Sequence, residues 1–171
     1  MKKIFSISLL FILFQNIVSA QTAETPAGDN LPDIALYDMN GNKVNIADLG
    51  KCGKVVIFNF WATWCTPCKK ELNNIADIYA DWQEDYDVQI VAVSIDDAKT
   101  KANVKAYADG QGWEYLVLLD DNKELHSMLN GQTVPFTVIA DKNGMIVDKH
   151  SGYVEGDEYL LEDKIAELSG K

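Results

Sequence analysis

Two cysteines three positions apart, Cys65 and Cys68, offer the most chemistry in this chain. They frame Thr66-Pro67 at the point where an apolar run, Val55 to Phe60, gives way to residues with helical periodicity. The first turn of a helix has unpaired backbone N–H groups and the positive end of the helix dipole. A thiolate there is stabilised, so Cys65 is expected to titrate below the usual ~8.5, at about 7 or lower, and to be the attacking sulfur. Cys68, one turn further in, is expected to be more buried and to act as the resolving thiol. Pro67 fits the first helical turn because its missing N–H is not needed there. Two other readings compete. A structural disulfide between residues this close constrains the unfolded chain little. A structural zinc site needs four ligands, and here there are one CxxC, one further cysteine and two histidines, none at finger-like spacing.

The elements that must position this pair can be read from the pattern. Val55-Val56-Ile57-Phe58-Asn59-Phe60 is nearly all apolar and rich in β-branched residues, as a strand buried on both faces would be. Over residues 66–83, Cys68, Leu72, Ile75, Tyr79 and Trp82 recur at three- and four-residue steps, which predicts one long helix. Gln89 to Ile95 reads as a second buried strand, 98–108 as a helix, Tyr115 to Leu119 as a third strand and 121–129 as a short helix. Val134 to Ala140 and Met145 to Lys149 read as strands joined at Asn143-Gly144, and Asn40-Gly41 marks an earlier turn between two short strands. Glu158 to Leu168 closes the chain as an amphipathic helix. This alternation implies an α/β layered domain with a parallel part and a terminal antiparallel hairpin.

Lys2 and Lys3, the apolar run Ile4 to Phe14 and the small residues Val18-Ser19-Ala20 read as a secretory signal peptide over residues 1–20, cleaved after Ala20. An uncleaved N-terminal anchor is the alternative, although the run is short of the ~20 apolar residues of a spanning helix. Residues 21–31 read as a flexible tail or linker, and 32–171 as one domain. Export would place the cysteine pair in an oxidising, periplasmic space. Without Lys2 and Lys3, the 15 basic residues fall to 13 against 26 acidic, a formal −13. The acid is dispersed in pairs that read as solvated turns and helix ends: Glu84-Asp85, Asp96-Asp97, Asp120-Asp121 and Asp157-Glu158. Such a surface argues against nucleic acid as a partner.

The segment Asn59-Phe60-Trp61-Ala62-Thr63-Trp64-Cys65-Thr66-Pro67-Cys68-Lys69-Lys70-Glu71 resembles the active-site stretch of thioredoxin-fold proteins, and most of all the exported TlpA and ResA branch. Pro32 to Asp48 and Gly131 to Gly144 resemble that branch as well. The resemblance implies a thioredoxin fold over 32–171, a central mixed sheet flanked by helices, with an added N-terminal β-hairpin and a central insertion. It also implies an enzyme that exchanges disulfides with client proteins without a cofactor or metal. The expected direction is reduction, with cytochrome c maturation as one setting and a membrane protein as upstream dithiol donor. A disulfide-forming oxidant and a copper carrier of the Sco type are the alternatives. The carrier is disfavoured by the two-residue spacing of Cys65 and Cys68, and oligomeric state is left open.

Several residues around the motif carry expectations of their own. Glu71 shares a helix face with Cys68 and could take its proton. The ResA-like branch places a functional glutamate at this motif position. Asn59 stands where cytosolic thioredoxins have a buried acid, so it is expected to be only a hydrogen-bonding residue. The resemblance implies that Pro135 is cis and that Val134 and Pro135 form a substrate-facing wall, with Phe136 where many relatives have threonine. Trp64 is expected to be partly exposed and to contact substrates, whereas Trp61 belongs in the core. His126 and His150 read as surface residues. Cys52 lies before the strand whose far end leads to Cys65, roughly 20 Å away by strand rise. A disulfide needs Cα atoms within about 7 Å, so Cys52 is expected to stand apart from the chemistry.

Overall fold

The computed structural model describes residues 29–171. The expected signal peptide lies outside the described residues, among which no helix is long and apolar enough to cross a membrane. In chain order the elements are β1 (Ala35–Asp38), β2 (Lys43–Asn45), α1 (Ile46–Leu49), β3 (Val56–Trp61), α2 (Thr66–Ala76), α3 (Tyr79–Tyr86), β4 (Gln89–Ser94), α4 (Ala102–Gln111), β5 (Leu116–Leu119), α5 (Glu124–Met128), β6 (Phe136–Ala140), β7 (Ile146–Ser151) and α6 (Asp157–Ser169). The seven strands form one mixed sheet in the order β2-β1-β5-β4-β3-β6-β7. β3, β4 and β5 run parallel, whereas β6 pairs antiparallel with β3 and then with β7. The N-terminal hairpin β1–β2 joins the far flank through β5. Between β4 and β6 the chain adds α4, β5 and α5, which answer to the central insertion that the resemblance implies.

β3 lies inside the sheet, between β4 and β6, because every one of its residues can be buried: Val56-Ile57-Phe58-Asn59-Phe60-Trp61 has no exposed position. The sheet therefore carries helices on both faces, as a strand without polar alternation requires. Asp29 to Leu31 packs on the β6–β7 turn, with the Leu31 N–H donating to the Gly144 carbonyl at 3.1 Å.

The predicted helix over 66–83 is two helices. α2 ends at Asp77, the Ile78 N–H reaches back only three residues to Ile75 O, and α3 restarts at Tyr79. The stripe nevertheless stays intact, with Cys68, Leu72, Ile75, Tyr79 and Trp82 all buried. The break lets the Tyr79 hydroxyl accept from the Ile90 N–H on β4, and Asn73-Asn74 and Asp77 are weak helix formers. The acidic pairs also divide. Glu84, Asp85 and Asp97 are exposed as expected, whereas Asp96, Asp120 and Glu158 are buried, each accepting hydrogen bonds from neighbouring turns.

Candidate active site

The strand-to-helix junction builds the site. β3 ends at Trp61, and the Cys65 N–H turns back onto the Ala62 carbonyl at 3.0 Å. Asp96, at the end of β4, accepts from the Thr63 N–H at 2.8 Å and the Thr63 hydroxyl at 2.6 Å, which fixes the segment just before the cysteines. Cys65 is the N-cap of α2, in extended conformation, and its Sγ accepts from the Cys68 N–H at 3.3 Å. Pro67 falls in the first turn. Cys65 and Cys68 are joined in a disulfide. Both are buried, Cys68 completely, and Cys65 lies closer to the surface. Beside them Trp64 is 58 % exposed, while Trp61 is buried edge-on against Trp113 at 4.8 Å between ring centres.

The wall opposite comes from the loop before β6. The Val134–Pro135 bond is cis. Phe136 pairs with Phe60, so the register sets Pro135 across from the end of β3 that feeds Cys65. The Pro135 carbonyl accepts from the Gly152 N–H at 2.9 Å, whereas the N–H and carbonyl of Val134 make no hydrogen bond among the described residues. Phe136 turns its ring inward against Phe60 and His126.

His126 is where the surface expectation fails. It is buried, wedged against Gly131 so closely that a Cβ there would collide with its ring, and it packs edge-on with Phe60 and Phe136. Its Nε2 lies 3.3 Å from the Thr133 carbonyl, one residue before the Val134–Pro135 bond. Nothing in its spacing marked it, because the contact depends on how α5 folds back on the loop. His150 is exposed as expected, with Nε2 4.0 Å from Asp157 Oδ2.

Below the disulfide, one turn along α2, Glu71 is only 5 % exposed. The Thr137 hydroxyl donates to its Oε1 at 3.4 Å, and Asn59 Nδ2 donates to Thr137 Oγ1 at 3.1 Å. Oε2 has no partner among the described residues. Burial pushes the Glu71 carboxyl up from 4.5 to about 7, against the hydrogen bonds of Asn59 and Thr137, with a smaller upward push from Asp157 and Glu158. A carboxyl so placed exchanges a proton near neutral pH. Thr137 is not part of the motif, yet the sequence carries a signal for it. It is the polar residue of an otherwise apolar strand, as Asn59 is of β3, and the two face each other in register. Cys52 is exposed, its Sγ bonded to the Leu49 carbonyl at 2.8 Å, at the opposite end of β3 from the disulfide. Among the described residues no three His, Cys, Asp or Glu side chains are grouped to hold a metal ion.

With a cysteine pair on a helix start and a proline wall across from it, the comparison with known proteins is decisive. Residues 27–149 match the model of the AhpC/TSA family. The chain belongs to this family. It is 30% identical over 139 residues to the thiol-disulfide oxidoreductase ResA of Geobacillus thermodenitrificans, covering 81% of this chain and 76% of that one. It is 33% identical over 126 residues to the thioredoxin-like protein YneN of Bacillus subtilis, covering 73% and 71%. Among solved structures, a thioredoxin-like protein from Porphyromonas gingivalis superimposes with a TM-score of 0.73 at 44% identity, over 82% of this chain and 92% of that one. A putative thiol:disulfide interchange protein DsbE from Chlorobium tepidum gives 0.74 at 30%, over 84% and 98%. The fold of this AhpC/TSA member is thioredoxin-like, and it is an enzyme of the thiol–disulfide oxidoreductase class.

Proposed function

We propose that this protein is an exported reductant of disulfides in client proteins. Its reading rests above all on one juxtaposition: a Cys65–Cys68 pair at the start of α2, one turn from a buried carboxyl with a free oxygen. In the reduced enzyme the Cys65 thiolate attacks a client disulfide. The client's S–S bond breaks, a Cys65–client mixed disulfide forms, and one client sulfur leaves as a thiolate that picks up a proton. Cys68 then gives its proton to Glu71 and attacks Cys65, closing the enzyme's disulfide and releasing the second client sulfur. Two electrons pass from the enzyme to the client. Val134 offers an unpaired N–H and carbonyl to an extended client segment, as an exposed strand edge would. Trp64 provides an exposed apolar surface beside Cys65. Thr137 and Asn59 position the Glu71 carboxyl, and His126 holds the loop that carries the proline.

Residues 1–20 direct export, and the periplasm is the compartment in which a dithiol must be regenerated against an oxidising surround. That requirement calls for an upstream dithiol donor, a membrane protein, and makes apocytochromes awaiting haem one class of client. The test is capture in the native host. A Cys68→Ser variant should accumulate mixed disulfides through Cys65 that disappear in the Cys65→Ser, Cys68→Ser double variant. Captured clients whose thiols are more oxidised in cells lacking the enzyme support the reductant. Clients more reduced in such cells would make it an oxidant instead.

A further inference from the structure

Glu71 has a second opening besides the disulfide. A groove of about 140 Å³ lined by Glu71 runs out along the β7 edge of the sheet, beneath α6. At roughly 10–15 Å³ for each water centre, that is room for several water molecules. Its floor is Glu71 with Thr137, its walls include Ile139 and Leu161, and its mouth carries Asp148 and His150 from β7 and Asp157 from α6. None of Trp64, Cys65, Val134 or Pro135 lines it. The client-facing surface and the groove are therefore separate approaches to one buried carboxyl.

A client in a mixed disulfide sits over Cys65 and shuts off the first approach. Glu71 must nevertheless be ionised before it can take the Cys68 proton, and must lose that proton before the next cycle. We propose that the β7–α6 groove is the proton port of Glu71, a water path that keeps the carboxyl in exchange with solvent while a client protein covers the disulfide. This rests on the proton-acceptor role for Glu71 given above. The step balances simply. Cys68 S–H loses its proton to the Glu71 carboxylate, the Cys68–Cys65 bond forms as the Cys65–client bond breaks, and the neutral carboxyl afterwards returns one proton to groove water. No electrons pass through the groove.

The groups around the carboxyl fit a port. From β3 and β6 it meets only the neutral Asn59 and Thr137. Glu158 of α6 accepts from the Tyr153 hydroxyl, the Gly156 N–H and Asn74 Nδ2, and these bonds outweigh burial and hold its carboxyl low, so it stays anionic beside the path. Asp157 and Asp148 add carboxylates at the mouth, with Lys164 as the cation and the exposed His150 imidazole beside them.

The experiment plugs the groove without touching Glu71. Leu161→Trp fills the wall, and Leu160→Trp, at an exposed rim position, gives a second plug should the first fail to fold. Each variant is trapped as a mixed disulfide at pH 5, once with a folded protein client and once with a glutathione-sized thiol, then jumped to pH 8 while resolution is followed by stopped flow. With the protein client, wild type should resolve in one phase and the plugged enzyme should show a phase about tenfold slower or more. With the small thiol, which leaves the front approach wet, both should resolve alike. Equal single-phase resolution of wild type and both plugged variants with the protein client would overturn the port. Glu71→Gln is run alongside. If it slows neither client, the proton-acceptor reading itself is wrong; if it slows both while the plugs do nothing, only the port is.

Discussion

Asp120 and Glu71 are both buried carboxylates, 2 % and 5 % exposed, and they have opposite surroundings. Asp120 accepts the N–H groups of Glu124 at 2.7 Å, Leu125 at 3.3 Å and His126 at 2.9 Å, capping α5. Glu71 accepts one hydroxyl at 3.4 Å and leaves an oxygen unpaired. A buried charge is tolerated where donors surround it and costs stability where they do not. The first arrangement fixes a helix. The second leaves a carboxyl whose proton is loosely decided, and a loosely decided proton beside a dithiol is what resolution of a mixed disulfide needs.

The largest effect expected from this contrast is kinetic. Glu71→Gln keeps the shape but removes the proposed proton acceptor, so mixed-disulfide resolution should slow by about 10²-fold or more. Stopped-flow rates from pH 5 to 9 check this, and superimposable curves for the two proteins would put Glu71 on the same footing as Asp120.

The same substitution should raise stability at alkaline pH. Burial lifts the Glu71 carboxyl from 4.5 to about 7, so the folded form prefers the proton. Below pH 4.5 folded and unfolded chains are both protonated there and nothing is lost. Between pH 4.5 and 7 the unfolded chain ionises first and stability falls, levelling off above 7 at a loss of about 3 kcal/mol at most. In Glu71→Gln that loss is absent. Denaturant titrations of the oxidised protein should therefore find the variant gaining on wild type as pH rises through this window. An unchanged difference between pH 4 and pH 8 would contradict the raised carboxyl.

Asp120→Ala should do the reverse, lowering stability by about 2 kcal/mol through the loss of a charged cap. Resolution by the folded protein should stay within about threefold of wild type, because the Asp120 side chain reaches the proline loop through the His126 N–H, and its backbone bond to the Ser94 carbonyl survives the substitution. A tenfold loss in resolution with the fold intact would mean that the cap and the proline loop move together.

How much of this contrast was legible follows from what each residue depends on. Cys65, Cys68 and Glu71 are local: their positions follow from the end of one strand and the face of one helix, and the structure sets them there. The sheet was legible too, because a fully apolar run like Val56-Ile57-Phe58 has few places to go. The pairs containing Asp96, Asp120 and Glu158 look solvated in the sequence because acidic pairs in turns generally are. Their burial depends on which N–H groups a turn happens to aim inward, and that is settled only when the elements pack. His126 belongs to the same class, being defined by Gly131, Phe60 and Phe136 from three separate segments. The break at Asp77 and Ile78 was hidden because the apolar stripe runs through it without a change of phase.

Cys52 gives the smallest expected effect and marks the outer limit of the contrast. It carries the same functional group as Cys65, so any difference between them is one of position. Cys65 caps an eleven-residue helix and accepts an N–H on its sulfur. Cys52 instead follows a four-residue helix, is exposed, and its sulfur donates to the Leu49 carbonyl. It is also separated from the disulfide by the length of β3, which no side chain spans. Cys52→Ala should therefore leave disulfide-exchange rates within about twofold of wild type, and stability within about 0.5 kcal/mol, as for a surface position. Rates with a protein client and with a small disulfide should both be compared at low enzyme concentration, where pairing between chains through Cys52 is suppressed. A tenfold loss under those conditions would mean that Cys52 reaches the catalytic pair despite its place at the other end of the strand.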